Sequence, residues 1–120
     1  MTTFDHVATE PGADPLGGRV PDGRAPIDLC CLLWARPDSE GAMAEYEDRV
    51  LGFLPDHGGE ILARAIGPGL DGTPHETQFI RLPDQDALDA YLGDPRRRDF
   101  TVDRERLIAR TVVYPVRLTP

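Results

Sequence analysis

The sequence predicts a single α+β domain whose elements run strand, helix, strand, strand, helix, strand. Three observations carry that prediction. Apolar residues recur at two-residue steps in four short segments and at three- and four-residue steps in two longer ones. Pro, Gly and Asp stand at nearly every boundary between them. With 120 residues, 40% of them hydrophobic, the chain has the size and apolar content of one core.

The elements follow in order. Residues 1–26 hold four Pro, four Gly and four acidic residues around a few scattered apolar side chains, the composition of a tail. The alternatives for it are an unstructured linker and a segment lying on a partner subunit. The domain proper is residues 27–120. Its first strand is "IDLCCLLWAR", with Ile27, Leu29, Cys31, Leu33 and Ala35 on one face and Asp28, Cys30, Leu32, Trp34 and Arg36 on the other. Cys30 and Cys31 therefore point apart and are poorly placed to bond each other.

A helix follows, opened by Asp38 or Ser39, with Met43, Tyr46, Val50, Phe53 and Leu54 as its buried stripe and Pro55 and Gly58-Gly59 ending it. "EILARAI" (60–66) and "HETQFIRL" (75–82) form a hairpin across the loop 67–74. Pro83 closes the third strand, because it cannot donate to a ladder, and Asp84 caps a helix that buries Ala87, Leu88, Tyr91 and Leu92. After "GDP", Asp94 and Pro95 restart helical structure, which carries Phe100, Leu107 and Ile108 to the core, and "TVVYPVRL" (111–118) is the last strand. This order is the ferredoxin-like or split βαβ plan, a four-stranded antiparallel sheet with its helices on one face.

Two helices shelter only one face of such a sheet, yet the strands carry apolar residues on both. An apolar sheet face of that size is not normally left wet. The expected remedy is a homodimer in which two sheets cover each other, burying roughly 2,000 Å² or more in total.

Charge and composition exclude several functions. The net charge of -8, from 21 acidic and 13 basic residues, repels nucleic acid and anionic membrane surfaces alike. No apolar run is long enough to span a membrane and no secretory leader opens the chain, so a cytoplasmic protein is expected. Scattered His and adjacent Cys predict no metal site, and "GPGLDG" precedes a strand rather than a helix, which argues against a phosphate loop; no cofactor is expected.

From residue 27 to 118 the chain resembles the dimeric α+β barrel superfamily. The carriers are "IDLCCLLWA", the turn "LPDHGGEILARA", and "FIRLPDQDALDAYLGDP" with its Pro corner and Asp-Pro stop. The pattern is most similar to the small uncharacterised bacterial families of that superfamily and, more distantly, to its antibiotic-biosynthesis monooxygenases. The resemblance implies an internal pocket on the sheet face and activity on aromatic or polyketide-like molecules, often without a cofactor. Its haem-degrading and quinone-forming members rely on an active-site Asn, and this chain has no Asn, which argues against both activities.

On that expected sheet-face pocket, Trp34 could stack on a flat ligand; Tyr114 could donate a hydrogen bond into it, although alternation leaves Tyr114 open between the pocket and the helix side. His75, beside Glu76, is a candidate general base. Arg81 is the second catalytic candidate and Arg64 a ligand-binding one, although strand guanidiniums need carboxylate partners, for which Asp28 and Glu76 are placed. His57 is expected at helix-end carbonyls. Arg96, Arg97 and Arg98 belong by default to a solvated charged face. The function expected from all this is an oxygenase, cyclase or isomerase acting on a small apolar or aromatic metabolite. The alternative is a non-catalytic binder or structural homodimer.

Overall fold

The computed structural model describes residues 25–120. Four strands, β1 (Ile27–Ala35), β2 (Glu60–Ile66), β3 (Glu76–Leu82) and β4 (Ile108–Val116), form one antiparallel sheet in the order β2-β3-β1-β4. That is the ferredoxin-like fold, with β1 and β3 central. The expected tail, residues 1–26, lies almost wholly outside the described residues.

Helix α1 (Glu40–Leu51) crosses from β1 to a 3₁₀ turn at Leu54–His57 that leads into β2. Three short helices, α2 (Gln85–Leu92), α3 (Pro95–Arg98) and α4 (Thr101–Leu107), make the second crossover. Asp84 caps α2 by accepting from the Ala87 amide at 2.8 Å, and Asp94 caps α3 by accepting from the Arg96 amide at 2.9 Å, as their Asp-x-x and Asp-Pro contexts predict. Neither Asp38 nor Ser39 caps α1 through its side chain. Ser39 stands at the N-cap position without a side-chain capping bond, and Asp38 takes a left-handed turn at φ 63° that reverses the chain just before it. β4 begins at Ile108, three residues earlier than expected, because a bulge at Trp34/Ala35 lets Ile108 pair with Ala35.

The core lies between the sheet and these helices. Leu29, Cys31, Ile80, Leu82 and Val113 from the strands meet Leu51, Leu54, Leu88 and Tyr91, while Leu33 and Ile108 meet Met43, Tyr46, Val50 and Leu107. Gly59 permits the closest of these approaches: a Cβ there would collide with the side chain of Leu54, which is completely buried, and would press on the Arg81 carbonyl.

The opposite face carries Cys30, Leu32, Trp34, Phe79, Val112 and Tyr114, whose register places them side by side. Among the described residues no helix lies over it. Cys30 and Cys31 are both free and buried on opposite faces.

Candidate functional site

The five residues singled out from sequence do not converge. Trp34, Arg81 and Tyr114 share the uncovered sheet face, but Arg81 pairs across from Asp28, six residues from Trp34 along β1, or about 20 Å. Arg81 is held by Asp28, to which its Nε and Nη2 donate at 2.6 and 2.9 Å. The Trp34 indole donates to the Gly72 carbonyl at 2.8 Å, and the Arg110 guanidinium lies 4.5 Å from its ring centre. Tyr114 stands opposite Cys30, and hydrogen bonding with that thiol pushes its hydroxyl above the usual phenol range.

Arg64 points the other way, under the helices. Its Nε donates to Glu76 at 2.8 Å and its Nη1 to Asp48 at 2.5 Å. Both strand arginines thus have carboxylate partners, Arg64 in a partly buried setting and Arg81 at the surface. His75 sits at the mouth of β3 with its Nδ1 accepting from the Ala35 amide at 3.0 Å and its Nε2 3.9 Å from Glu40. Glu76 does not orient it, because alternation along β3 turns Glu76 to the helix side. His57 bonds a side chain rather than helix-end carbonyls: its Nε2 meets the Asp94 carboxylate at 2.8 Å. The same carboxylate takes Arg96, and these bonds hold Asp94 well below the usual carboxylate range.

The polar chemistry gathers on the helix side instead. Alternation in β3 carries Glu76 and Gln78 inward with Ile80 and Leu82, and the α1 stripe that buries Met43, Tyr46 and Val50 also buries Glu47. Gln78 Nε2 donates to Glu47 at 2.7 Å and to Glu76 at 2.8 Å. A continuous chain of hydrogen bonds therefore runs from surface Asp48 through Arg64, Glu76 and Gln78 to Glu47.

Burial raises the Glu47 carboxyl to about 7, against the hydrogen bond from Gln78, which favours the ionised form; Glu76 raises it further and Arg97 lowers it. Glu47 and Gln78 border a cavity of about 20 Å³, room for a water molecule. Leu33, Val50, Leu51 and Ile80 make its apolar walls, and Cys31, whose thiol burial pushes up, closes its floor. The Thr111 hydroxyl also lines it and has no hydrogen-bond partner. Tyr46, Tyr91, Arg97 and Arg104 complete the lining, so Arg97 does not belong to a solvated face: its guanidinium lies 4.7 Å from the Tyr91 ring centre and donates to the Leu92 carbonyl at 3.2 Å.

Sequence reasoning passed over Glu47 and Gln78, although a signal was present. Met43, Tyr46, Glu47, Val50 and Leu51 occupy one helical stripe, and an acid in such a stripe must be protonated, paired or functional. Among the described residues, no group of three or more His, Cys, Asp and Glu is arranged to hold a metal ion. None of the described helices is long and apolar enough to cross a membrane.

No family model and no curated protein matches the sequence. The fold, in contrast, is found in several solved structures. RPA0582 from Rhodopseudomonas palustris, of unknown function, superposes with a TM-score of 0.65 at 20% identity over 81% of this chain and 85% of its own. A dimeric ferredoxin-like protein of unknown function from Thermobifida fusca gives 0.57 at 18% identity, covering 83% and 97%. SnoaB, a cofactor-independent oxygenase from Streptomyces nogalater, gives 0.59 at 12% identity, covering 79% and 96%. At these identities the likeness is one of fold, and at that level it agrees with the resemblance to the dimeric α+β barrel superfamily.

Proposed function

We propose that the protein is a homodimer, joined through the uncovered sheet faces, that acts without metal or cofactor on a small, largely apolar or aromatic molecule held between the helices and sheet of each protomer, where the one-water cavity beside Glu47 must widen to admit it. One observation carries the choice of site: a carboxyl group raised to about 7 stands in an apolar-walled cavity, hydrogen-bonded by Gln78. A group poised near the working pH can both take and return a proton. Glu47 would remove a proton from an acidic C–H of the substrate, Gln78 would hold the carboxylate in place, and the proton would return to another atom, which is isomerisation or the first step of a cyclisation. With dioxygen as co-substrate the same carbanion opens an oxygenation, and the likeness to the cofactor-independent oxygenase SnoaB supports that branch.

The dimeric ferredoxin-like structure from Thermobifida fusca and the apolar open face support the homodimer. A second reading puts the ligand between the two sheets, where Trp34, Arg81 and Tyr114 would face the partner; the half-buried Trp34 ring stacked by Arg110 favours it. A third, a binder without turnover, keeps the same cavity.

Deuterium exchange tests the proposal: 2-tetralone and related enolisable aromatic ketones are incubated in D₂O and followed by proton NMR. Wild type should speed exchange, and Glu47→Gln should reduce the rate by about 100-fold or more. Exchange that survives in Glu47→Gln but is lost in Trp34→Ala would move the site to the sheet face, and ligand binding without exchange would leave the binder.

A further inference from the structure

We propose that the cavity beside Glu47 is a binding site for one water molecule, hydrogen-bonded to both the Thr111 hydroxyl and the Glu47 carboxyl. The inference shares its cavity with the proposed function and names what occupies it before a substrate enters, but it does not depend on the proton transfer.

The size fits water and little else. About 10–15 Å³ is enough to hold one water, and the cavity offers about 20 Å³. Such a site also needs two or more polar partners, since a space walled by hydrocarbon alone stays dry. Thr111 supplies the first. It stands opposite Leu33 on β4, so the strand turns its side chain to the helix side, where it is 5% exposed and its hydroxyl has no hydrogen-bond partner. A buried hydroxyl left in that state is costly, and a bound water is the usual remedy.

Glu47 supplies the second partner. Gln78 donates to its Oε1, but an ionised carboxylate offers about four acceptor positions. Ionisable groups reach the surroundings of this carboxyl from every neighbouring element: Cys31 on β1, Arg64 on β2, Glu76 on β3, Tyr91 on α2, Arg97 on α3, Arg104 on α4 and Tyr46 on α1 itself. Burial keeps the thiol and both phenols protonated, and Arg64 is committed to Glu76 and Asp48. Glu76 opposes ionisation of Glu47, while Arg97 and Arg104 attract the ionised form. A water donating to the carboxylate joins the second group and lowers the pH at which Glu47 gives up its proton.

Tyr46, Arg97 and Arg104 also line an outer pocket of about 80 Å³, so their shared wall is where this water meets solvent. A substrate that widens the cavity displaces the water, and a carbonyl oxygen at the same place would keep the Thr111 hydroxyl satisfied.

The full chain, crystallised without ligand and studied at high resolution, should show one density peak within hydrogen-bond distance of Thr111 Oγ1 and a Glu47 carboxylate oxygen. Thr111→Val, similar in shape and lacking the hydroxyl, should lose the peak and lower the urea midpoint. It should also raise the titration midpoint of Glu47, followed by the chemical shift of its carboxyl carbon, by about half a pH unit or more, the effect of one hydrogen bond. Thr111→Ser should keep the peak and the wild-type titration. A dry cavity forecasts the opposite: no peak in wild type, and Thr111→Val more stable because a stranded hydroxyl has been removed. Missing density in wild type, or a Glu47 midpoint that Thr111→Val leaves unchanged, would overturn the assignment. If Thr111→Val fails to fold, the wild-type density and Thr111→Ser decide. The peak should remain in Glu47→Gln, whose amide also bonds water, so the water site and the deuterium exchange assigned to Glu47 succeed or fail on separate readouts.

Discussion

Replacing Glu47 with Gln should stabilise this protein above neutral pH and leave it almost unchanged at pH 5. In the folded chain the carboxyl is raised from an ordinary 4.5 to about 7, mainly by burial, with Glu76 adding to the rise and Gln78, Arg97 and Arg64 opposing it. The native state thus holds a proton that the unfolded chain has already lost, and stability falls as pH rises from about 4.5 through about 7. At about 1.4 kcal/mol for each tenfold change in proton affinity, the ionised form costs the fold about 3 kcal/mol at pH 8.5. Gln keeps the size of the side chain and an oxygen to accept from Gln78, but has no charge to bury. The substitution should therefore raise the melting temperature at pH 8.5 by on the order of 10 °C, with little change at pH 5. Thermal and urea unfolding at fixed protein concentration, from pH 5 to 8.5, measure both numbers. A wild-type stability flat across that window, or a Gln variant equally destabilised at every pH, would refute the reasoning. The ionised acid would then be accommodated, and Glu47 would lose its claim to a neutral working pKa.

Two other perturbations probe the surroundings. Arg64→Ala leaves Glu76, 1% exposed, without its cation and should cost about 2–3 kcal/mol in urea unfolding, with Glu76→Gln in the same chain recovering part of the loss; full additivity of the two changes would deny the pair. Leu32→Glu puts a charge at the centre of the uncovered face and should turn a dimer into a monomer by light scattering at micromolar concentration; a wild type already monomeric would remove the homodimer.

The architecture was legible because its signals are local. Alternation in "IDLCCLLWA" sorted Leu29, Cys31 and Leu33 from Cys30, Leu32 and Trp34, and the structure keeps that division. Asp84 and Asp94 announced two helix starts because a cap acts within one turn. The demand that strand arginines be paired pointed to Asp28 and Glu76, which do hold Arg81 and Arg64. The start of β4 was misplaced because the pairing of Ile108 with Ala35 depends on a bulge in the ladder and leaves no mark in either segment alone.

The site was less legible. Gathering Trp34, Tyr114, His75, Arg81 and Arg64 into one pocket assumed that chemically promising strand residues share a face, and register separates them. Glu47 and Gln78 could be placed inside by periodicity, each at a buried position of its own element, but nothing local says that they meet. What the sequence determines by itself is the order of elements, their caps and which residues each turns inward, since those follow from backbone periodicity and hydrogen bonds within a turn. Only the tertiary structure decided that α1 and β3 bring an acid and an amide together, and that the second crossover sets Arg97 and Arg104 above them. Those neighbours are dozens of residues apart, and they are brought together by the way the helices cross the sheet.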